Sequence, residues 1–568
     1  MEEPSSASGF IESKSPQHFL SDVIKAVKND VGVSHSRRRD LISAVTRVAK
    51  LLRDEPHRIA LDLPILRKQI ETIQPAKERI TDKTWANIRS QFFAAIKIAK
   101  LCEFADFRKT PLSLQWSSLL SAHTNKRREI GLSRFARFAS AHQISPQQID
   151  DNALTAFIKA LADRSLAANP SNLHRMTAKL WNELAQANAQ LGLRSLTVPS
   201  FIRPLKRVDW SSLPRSFRED VAAYLNWCTV EDPFHSNARS RPLKPRTVKY
   251  LRDQLHAAVT ALIESDFPVA SILNLSSLVE AENFKRLLRH RISQAGQNQN
   301  TFNRDLAKAL VRMAREWTKP GDVEIKELQR IASKVRGPLP GLTEKNKKQL
   351  RQFDDPETPR KLDALPNLLW RDILRAKTIN FRILANAQTA IALELLICMA
   401  IRMHNLSALE FGKHIHLSEH PKGVSSLEIS EDETKNGRPL AFDLPDKLVD
   451  MLRHYRDHIV PSVTGGKRQQ IFVNVHGGRK TQSAIAAHIA RTVLRKIGVA
   501  MSPHLFRHLA AKRLLDASPG DFETIRQLLG HRNMSTTTNF YAGIDSRRAA
   551  RHHQHLIDLA RMKNSTNS

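Results

Sequence analysis

Side chains of types that can bind phosphate are concentrated near the C-terminus, in the stretch 502–545. His504 and Arg507 lie three residues apart there, so in a helix they share one face. Pro503 suits the first position of a helix, because that position leaves its amide unpaired in any case. The spacing predicts a helix that begins at Pro503 and presents an imidazole and a guanidinium on one side.

A second group of reactive side chains follows in the same stretch. Gly530 precedes His531, and a glycine at this place is typical of the turn that ends a helix. We expect this turn to aim the imidazole of His531 outward. A short threonine-rich connection then leads to Tyr541. Two imidazoles, a guanidinium and a phenol within about forty residues indicate a phosphate site with a nucleophile, although each residue alone is common at structural positions.

The composition indicates a folded protein that binds a polyanion. Of the 568 residues, 41% are hydrophobic, which is enough to bury several cores, and the length suggests about three to four domains. Lys and Arg number 89 against 56 Asp and Glu, a formal net charge of +33. Nucleic acid is the polyanion that such a charge favours. Because basic residues occur along the whole chain, we expect several domains to contact a phosphate backbone.

Cysteine content and hydropathy predict a soluble cytoplasmic protein. The three cysteines (Cys102, Cys228 and Cys398) are far apart and form no CxxC motif, which excludes a disulfide scaffold and a cysteine-based zinc site. The longest apolar run, 390–401, contains Glu394 and is too short to span a bilayer. The first residues lack the basic start and apolar core of a signal peptide. No membrane contact is therefore expected.

The spacing of apolar residues predicts a long helical part followed by a different C-terminal domain. Similar helix–break–helix patterns occur three times, and a Pro- and Arg-rich stretch separates the second from the third. The predicted organisation is a flexible N-terminus (1–35), two helical modules (36–110 and 115–195), a linker (196–242), a third module (243–320), a C-terminal domain (338–545) and a basic helical tail (546–568).

The C-terminal domain begins after the Gly337-Pro-Leu-Pro-Gly break and contains the first strands. Two β-like runs, 426–433 and 439–445, flank an Asn-Gly pair, which is a strong hairpin signal. We place Lys435 at the tip of this hairpin. The run 471–475 is interpreted as a further short strand, and helices are expected from Ser483 onward.

A set of six residues, spread over the C-terminal domain, resembles the active-site set of the tyrosine recombinase (phage-integrase-type) family. Its first arginine follows a long apolar helix, its lysine lies on the hairpin, and the rest lie in the stretch 502–545. The set comprises Arg402, Lys435, His504, Arg507, His531 and Tyr541. The resemblance covers about the last 225 residues and extends more loosely to 243–317. It implies up to three helical SAM-like core-binding modules, followed by a catalytic domain that is mainly α with a small antiparallel sheet.

The resemblance also implies a role for each residue of the set. Arg402 and Arg507 would hold the phosphate, since a guanidinium binds two oxygens and keeps its charge. Tyr541, one of only four tyrosines, would be the nucleophile. His504 would accept the proton of the phenol.

The other two residues of the set complete the implied mechanism. Lys435 would protonate the departing 5′ oxygen, and His531 would hydrogen-bond the phosphoryl group. A second lysine, Lys422, lies upstream and is an alternative to Lys435. His508, four residues after His504, is expected to pack or hydrogen-bond behind the site rather than act in it.

This chain departs from the usual family pattern at three places. Ala400 stands where a glycine is common, and Asn405 where an acidic residue is common. The spacing from His531 to Tyr541 is ten residues, one more than the commonest value. Phe540 therefore occupies the place at which some members carry the tyrosine. Phenylalanine has no nucleophilic oxygen, so Tyr541 remains the predicted nucleophile.

No metal, nucleotide or other cofactor is expected, because the chain has no phosphate-binding glycine loop and no acidic metal cluster. Two histidine clusters, 414/416/420 and 552/553/555, offer an alternative as metal sites. They lack a matching carboxylate or thiol set, so surface histidines are the preferred interpretation.

The resemblance implies a metal- and ATP-independent site-specific recombinase in the bacterial cytoplasm, associated with the nucleoid. It would integrate, excise or resolve a mobile element through a 3′-phosphotyrosyl intermediate. The expected partner is double-stranded DNA, bound by a homotetramer on paired sites or by a hetero-assembly with another recombinase. Two alternatives stay open: a topoisomerase-like or end-resolving enzyme of the same chemistry, and a catalytically inactive recombinase-like protein that binds DNA as an accessory factor.

Overall fold

The computed structural model describes residues 18–539 and 541, and beyond them 550, 553–554, 556–559 and 561. The gaps within the main range are 106, 108–109, 122–125, 167–168, 202–206, 231–241, 297–299, 338–340, 421–422 and 519.

The described part of the chain is mainly helical, with one small antiparallel sheet in the C-terminal domain. This confirms the predicted fold class in its coarser part, a mainly α protein with a small antiparallel sheet in the C-terminal domain. The chain divides into two compact units, one made of 1–200 with 341–568 and the other of 201–340. The division into copies of one core-binding module stays a prediction.

The first helical bundle begins earlier than the sequence suggested. Its helices are α1 (Leu20–Asn29), α2 (His35–Leu51), α3 (Leu63–Thr72) and α4 (Asp82–Ala99). The prediction of a flexible segment over 1–35 is wrong for α1, because Leu20, Val23 and Val27 are buried in the core of this bundle. Residues 1–17 lie outside the described residues.

A second bundle follows in the same unit. Its helices are α5 (Leu114–Ser121), α6 (Lys126–Ala141), α7 (Asp151–Arg164) and α8 (Pro170–Ala187). Trp116, Phe135 and Trp181 form the centre of its core, with ring centroids 5.7–6.4 Å apart. Large aromatic side chains supply much of the buried area of such a small bundle.

The unit 201–340 forms a third helical core. It contains α9 (Arg215–Trp227), α10 (Pro245–Ile263), α11 (Ala281–Ala295), α12 (Thr301–Met313), a π-helical turn (Ala314–Thr318) and α13 (Asp322–Ser333). The prediction of a linker over 196–242 is wrong for α9, because Phe217, Val221 and Leu225 are buried with residues of α10 to α13. The proline and arginine content concealed this amphipathic helix.

The C-terminal domain is arranged around α16, whose residues are largely buried among the other elements. The helices are α14 (Glu344–Arg351), α15 (Glu357–Leu374), α16 (Phe381–Met399), α17 (Met403–Ala408), α18 (Asp446–His454), α19 (Val460–Thr464), α20 (Gln482–Ile497), α21 (Pro503–Ala517) and α22 (Phe522–Leu528). By length and composition α16 would be able to cross a membrane, but it serves here as the core helix of the domain.

The sheet has three antiparallel strands in the order β1-β2-β3: β1 (Ile415–His416), β2 (Ser426–Ile429) and β3 (Leu440–Asp443). Because Ile429 pairs with Leu440, the predicted hairpin is present, but residues 430–439 form a longer connection than a two-residue Asn-Gly turn. The predicted strand at 471–475 is wrong. Within this segment Val473 forms an isolated bridge with Arg479, and Gln470, the residue before the segment, forms one with Glu410.

Candidate active site

The first half of the site lies where α16 ends. Ala400 has a left-handed backbone with φ +47°, which reverses the chain and places Arg402 immediately before α17. The Nη1 atom of Arg402 is buried, with no hydrogen-bond partner among the described residues. Burial also lowers the pKa of Arg402. A half-buried guanidinium with a buried, open donor position is ready to bind an anion.

Arg507 connects this half to the second half. It lies on α21, which begins at Pro503 as predicted, and it is only 4% exposed. Its Nη1 donates to the carbonyl oxygen of Ala400 and its Nη2 to that of Leu529, both at 2.6 Å. Each terminal nitrogen carries a second hydrogen, so Arg507 can still donate to a phosphate. Burial, together with the charge of Arg402, lowers its pKa to about 10.

His531 is positioned by the turn after α22. The amides of Gly530 and His531 donate to the carbonyls of Gln527 and Arg526, at 3.0 and 2.9 Å, which is the Schellman pattern that ends a helix. Gly530 has φ +57°, as a glycine at this position should. The predicted helix end is thus confirmed.

The predicted outward direction of His531 is wrong, because the side chain is only 9% exposed. Its Nδ1 lies 3.0 Å from Oγ1 of the fully buried Thr537, which fixes the ring. Burial first, and then the charges of Arg507 and Arg402, lower the pKa of His531 to about 4. The imidazole is therefore neutral near pH 7.

Tyr541 is buried against the same elements. It is 2% exposed and packs in a small cluster with Ala400, Leu515, Ile525 and Leu529. Its hydroxyl lies 3.0 Å from Nδ1 of His508. Burial raises the pKa of Tyr541 to about 12, although the charge of Arg507 opposes the shift. Phe540, the residue weighed against it in the sequence, lies outside the described residues.

His504 and Lys435 lie at the solvent side of this group. Although the ring of His504 is partly open to solvent, desolvation and then the charges of Arg507, Arg402 and Lys435 lower its pKa. These effects require the three cations to lie near the ring. Lys435 is exposed, in the connection between β2 and β3. The structure thus brings all six predicted residues to one place.

The segment that carries Lys435 is held by the residues on both sides of it. The carboxylate of Glu433 accepts hydrogen bonds from Lys413 Nζ at 2.6 Å, His414 Nε2 at 3.1 Å and Ser430 Oγ at 3.0 Å. The bond from Lys413 is the main cause of the fall in the pKa of Glu433 to about 2. On the other side, Asn436 Nδ2 donates to the carbonyl oxygen of Gly530 at 2.9 Å.

Asn405 joins the same segment to the first half of the site. It is 4% exposed, and its Nδ2 donates to the carbonyl oxygen of Glu433 at 3.3 Å. An ionised carboxylate has no hydrogen to donate, so the usual acidic residue would not make this contact. The asparagine at position 405 therefore makes a hydrogen bond to the segment of Lys435 that an ionised acidic residue would not make.

Four contributing residues were missed or undervalued in the sequence. They are Glu433, Asn436, His508 and Thr537. Only His508 carried a local signal, since it lies one helical turn after His504 on the same face. The contacts of the other three depend on tertiary packing.

The interpretation of the cluster 414/416/420 as surface histidines is wrong for His414, which is only 4% exposed. No group of three or more His, Cys, Asp or Glu able to hold a metal occurs in the described part of the chain. His414 accepts from the amide of Glu410 and contacts the Glu433 carboxylate instead. His552, His555 and Lys422 lie outside the described residues.

Replacing Glu433 with glutamine is expected to lower the free energy of unfolding by about 1–3 kcal/mol at pH 7. Because folding lowers the pKa of Glu433 from 4.5 to about 2, its contribution is complete above pH 4.5 and is lost as the pH falls towards 2. Urea unfolding at several pH values measures this. Glu431→Gln, an exposed neighbour, is the control, and equal stability of both variants at pH 7 would contradict the assignment.

Replacing Thr537 with valine is expected to slow reaction at the site by about tenfold at most, since one hydrogen bond contributes about 0.5–1.5 kcal/mol. The valine keeps the shape of the side chain but removes the oxygen that fixes His531. Single-turnover formation of a protein–DNA adduct measures the rate. Thr536→Val, at an exposed position, is the matched control, and equal slowing of both would point to a general effect on the helical turn.

The two arginines, the lysine, the two histidines and the buried tyrosine lie together in the C-terminal domain. A model of the phage integrase family matches residues 375–548. Over this segment the chain is similar to that family, the tyrosine recombinases.

Curated relatives are similar to parts of the chain. The tyrosine recombinase XerC of Neisseria meningitidis serogroup C is 29% identical over 160 residues, which is 27% of this chain and 50% of the relative. The XerC of Myxococcus xanthus is 38% identical over 73 residues, 13% of this chain and 24% of the relative. The chain thus spans half or less of the length of these relatives.

Solved structures show a more distant similarity. A lambda integrase dimer bound to a COC′ core site has 14% identity and a TM-score of 0.35, with 63% of this chain and 85% of that chain covered. XerH site-specific recombinase bound to a difH substrate has 14% identity and a TM-score of 0.30, with 56% and 89% covered. These TM-scores are too low to support a conclusion about this chain.

Proposed function

We propose that this protein is a site-specific DNA recombinase that cleaves and rejoins strands through a 3′-phosphotyrosyl intermediate. The observation that supports this most is the buried Arg402 Nη1, without a partner among the described residues, beside Arg507, His531 and Tyr541. This arrangement has donors for a phosphate and a nucleophile within one buried group. Integration, excision or resolution of a mobile element is the proposed biological outcome.

In the proposed reaction, Arg402 and Arg507 bind the nonbridging oxygens of the scissile phosphate, and His531 adds a neutral hydrogen bond. Positive charge fixed in advance at these oxygens stabilises the charge that develops in the transition state. The phenol oxygen of Tyr541 attacks phosphorus as its proton passes to a histidine of α21, and the bond to the 5′ oxygen breaks. Lys435 gives its proton to this leaving oxygen. The energy of the cut bond stays in the phosphotyrosine, so the step needs no nucleotide.

The electrostatics of the site support a polyanionic ligand. The pKa values of Arg402, His504, Arg507 and His531 are all lowered, by burial first and then, for the last three, by neighbouring positive charges. An entering phosphate offsets this repulsion. The net charge of +33 adds attraction that falls with salt, because phosphate contacts release counterions.

The resting position of Tyr541 requires a rearrangement before attack. At 2% exposure its oxygen is not accessible to a DNA backbone. We infer that binding of DNA moves the segment that carries the tyrosine. The cost of exposing one buried aromatic side chain is about 2–3 kcal/mol, which phosphate contacts can offset.

Assembly and location follow from the same proposal. The protein acts in the bacterial cytoplasm on double-stranded DNA, as a homotetramer on paired sites or with a second recombinase. The tail 546–568, which lies mostly outside the described residues, is proposed to dock on a neighbouring protomer. Unchanged cooperative synapsis after deletion of 546–568 would argue against that docking.

The proposed function is tested by capture of a covalent adduct. The protein is incubated with a pool of nicked duplexes of randomised sequence, and adducts that resist boiling in detergent are isolated and sequenced. We expect a phosphotyrosine at Tyr541 and enrichment of one DNA sequence. Adducts without sequence preference, together with relaxation of supercoiled plasmid, would indicate a topoisomerase. DNA binding without any adduct would indicate an inactive accessory protein.

A further inference from the structure

Helix α21 carries two histidines that face different surroundings. His504 and His508 are four residues apart, and their ring centroids lie 4.8 Å apart at an interplanar angle of 83°. Burial and then the charges of Arg507, Arg402 and Lys435 lower the pKa of His504. His508 is 4% exposed, and its Nδ1 lies 3.0 Å from the hydroxyl oxygen of Tyr541.

From this contact we propose that His508, rather than His504, accepts the phenol proton when Tyr541 attacks phosphorus. The proposal rests on the proposed recombinase function. It makes His508 a catalytic residue, because it touches the reacting oxygen. His504 is then left to interact with the phosphate, beside the two arginines.

The geometry meets the requirement for a general base. A base must lie within about 2.6–3.2 Å of the atom whose proton it takes, and His508 Nδ1 is at 3.0 Å. The rings of His508 and Tyr541 have centroids 5.8 Å apart at 64°. They lie on different segments of the chain, so the proposal requires that the contact of His508 with Tyr541 is kept when the tyrosine segment moves.

The charge state of His508 supports the same role. Burial, followed by the charges of His504, Arg507 and His531, lowers its pKa to about 4. The ring is therefore neutral near pH 7, and one of its two nitrogens carries a lone pair. A phosphate that enters among these groups offsets their charge, and His508 becomes a stronger base when substrate is present.

The step is balanced without any further reactant. The bond between the Tyr541 oxygen and phosphorus forms, and the bond from phosphorus to the 5′ oxygen breaks. The phenol proton passes to His508 Nδ1, and the 5′ oxygen takes a proton from the Lys435 ammonium. In the religation step both protons return along the same routes.

Two variants separate a base from a group that only positions the tyrosine. His508→Asn places an amide close to the position of Nδ1, so it keeps a hydrogen bond but cannot take up a proton. His508→Gln is the second variant, to be used if His508→Asn has a lowered melting temperature. Single-turnover adduct formation on the captured, nicked DNA is expected to slow by about 100-fold or more. DNA affinity is expected to stay within about twofold of the unmutated value.

Two rescue measurements show which proton transfer is slowed in His508→Asn, the loss of the phenol proton or the protonation of the leaving 5′ oxygen. A fluorinated tyrosine at position 541 has a more acidic phenol. In the His508→Asn variant it is expected to raise the rate of adduct formation by at least about tenfold. A substrate with sulfur at the 5′ bridging position needs no acid. It is expected to rescue Lys435→Ala but not His508→Asn.

The outcomes distinguish this proposal from the proposed function. If the unmutated protein forms no adduct, the recombinase function itself fails. If it forms one and His508→Asn reacts at the same rate, His508 is not the base. Rescue of His508→Asn by the sulfur substrate, or no rescue by fluorotyrosine in a variant of unchanged melting temperature, would also overturn the assignment.

Discussion

Replacing Tyr541 with phenylalanine is expected to abolish the covalent protein–DNA adduct, with a loss of at least about a thousandfold. Phenylalanine fills the same space in the cluster around Ala400 and Leu529, but it has no oxygen to attack phosphorus. DNA affinity should be retained, because the arginines remain. Removing the hydroxyl takes away one hydrogen bond with His508, so the free energy of unfolding should fall by only about 1 kcal/mol.

Tyr250→Phe is the matched control for this variant. Tyr250 lies on α10 in the unit 201–340 and is 43% exposed. Its replacement should leave both adduct formation and stability unchanged. Labelled nicked DNA, resolved on a denaturing gel, measures the adduct. If the adduct persisted in Tyr541→Phe and disappeared in Tyr250→Phe, Tyr250 would be the nucleophile instead of Tyr541.

Replacing Arg507 with alanine is expected to impair folding and chemistry together. Its two hydrogen bonds connect the carbonyls of Ala400 and Leu529, and each carbonyl left without a donor costs about 1–3 kcal/mol. Loss of one preorganised phosphate donor should also slow adduct formation by about 100- to 1,000-fold. Arg507→Lys keeps the charge, but a single ammonium cannot replace the planar fork, so both defects should persist in part.

Arg513→Ala is the control from the same helix. Arg513 forms a partly exposed ion pair with Asp363 at 2.8 Å, and such pairs contribute at most about 1 kcal/mol. Chemical unfolding and single-turnover adduct formation are measured for all three variants. If Arg507→Ala were as stable and as active as Arg513→Ala, the two carbonyl contacts would have no energetic role.

Local features of the sequence were sufficient to predict several parts of the site. The helix start at Pro503 and the helix end at Gly530 follow from preferences of proline and glycine that depend on neighbouring residues alone. The long apolar run before Arg402 likewise identified the core helix. The identity of the six site residues came from the resemblance to a family, and the structure places them together.

Other features depend on contacts between distant segments, and the sequence did not reveal them. Whether His531 points outward or inward is decided by Thr537, which buries the ring. The contact of His508 with Tyr541 joins residues 33 positions apart. The length of the β2–β3 connection is set by the pairing of Ile429 with Leu440, which the Asn-Gly pair does not determine. Helix α9 was interpreted as a linker because its basic residues obscured an apolar face.

The crowding of positive groups around Arg507 has a consequence for the folded protein in acid. The pKa values of His508 and His531 fall from 6.5 to about 4 on folding, so below pH 6.5 the unfolded chain takes up protons that the folded chain does not. The free protein therefore loses stability progressively between pH 6.5 and about 4. A bound phosphate backbone would raise both pKa values and oppose this loss. Proton uptake, DNA binding and folding are thus thermodynamically linked through one pocket.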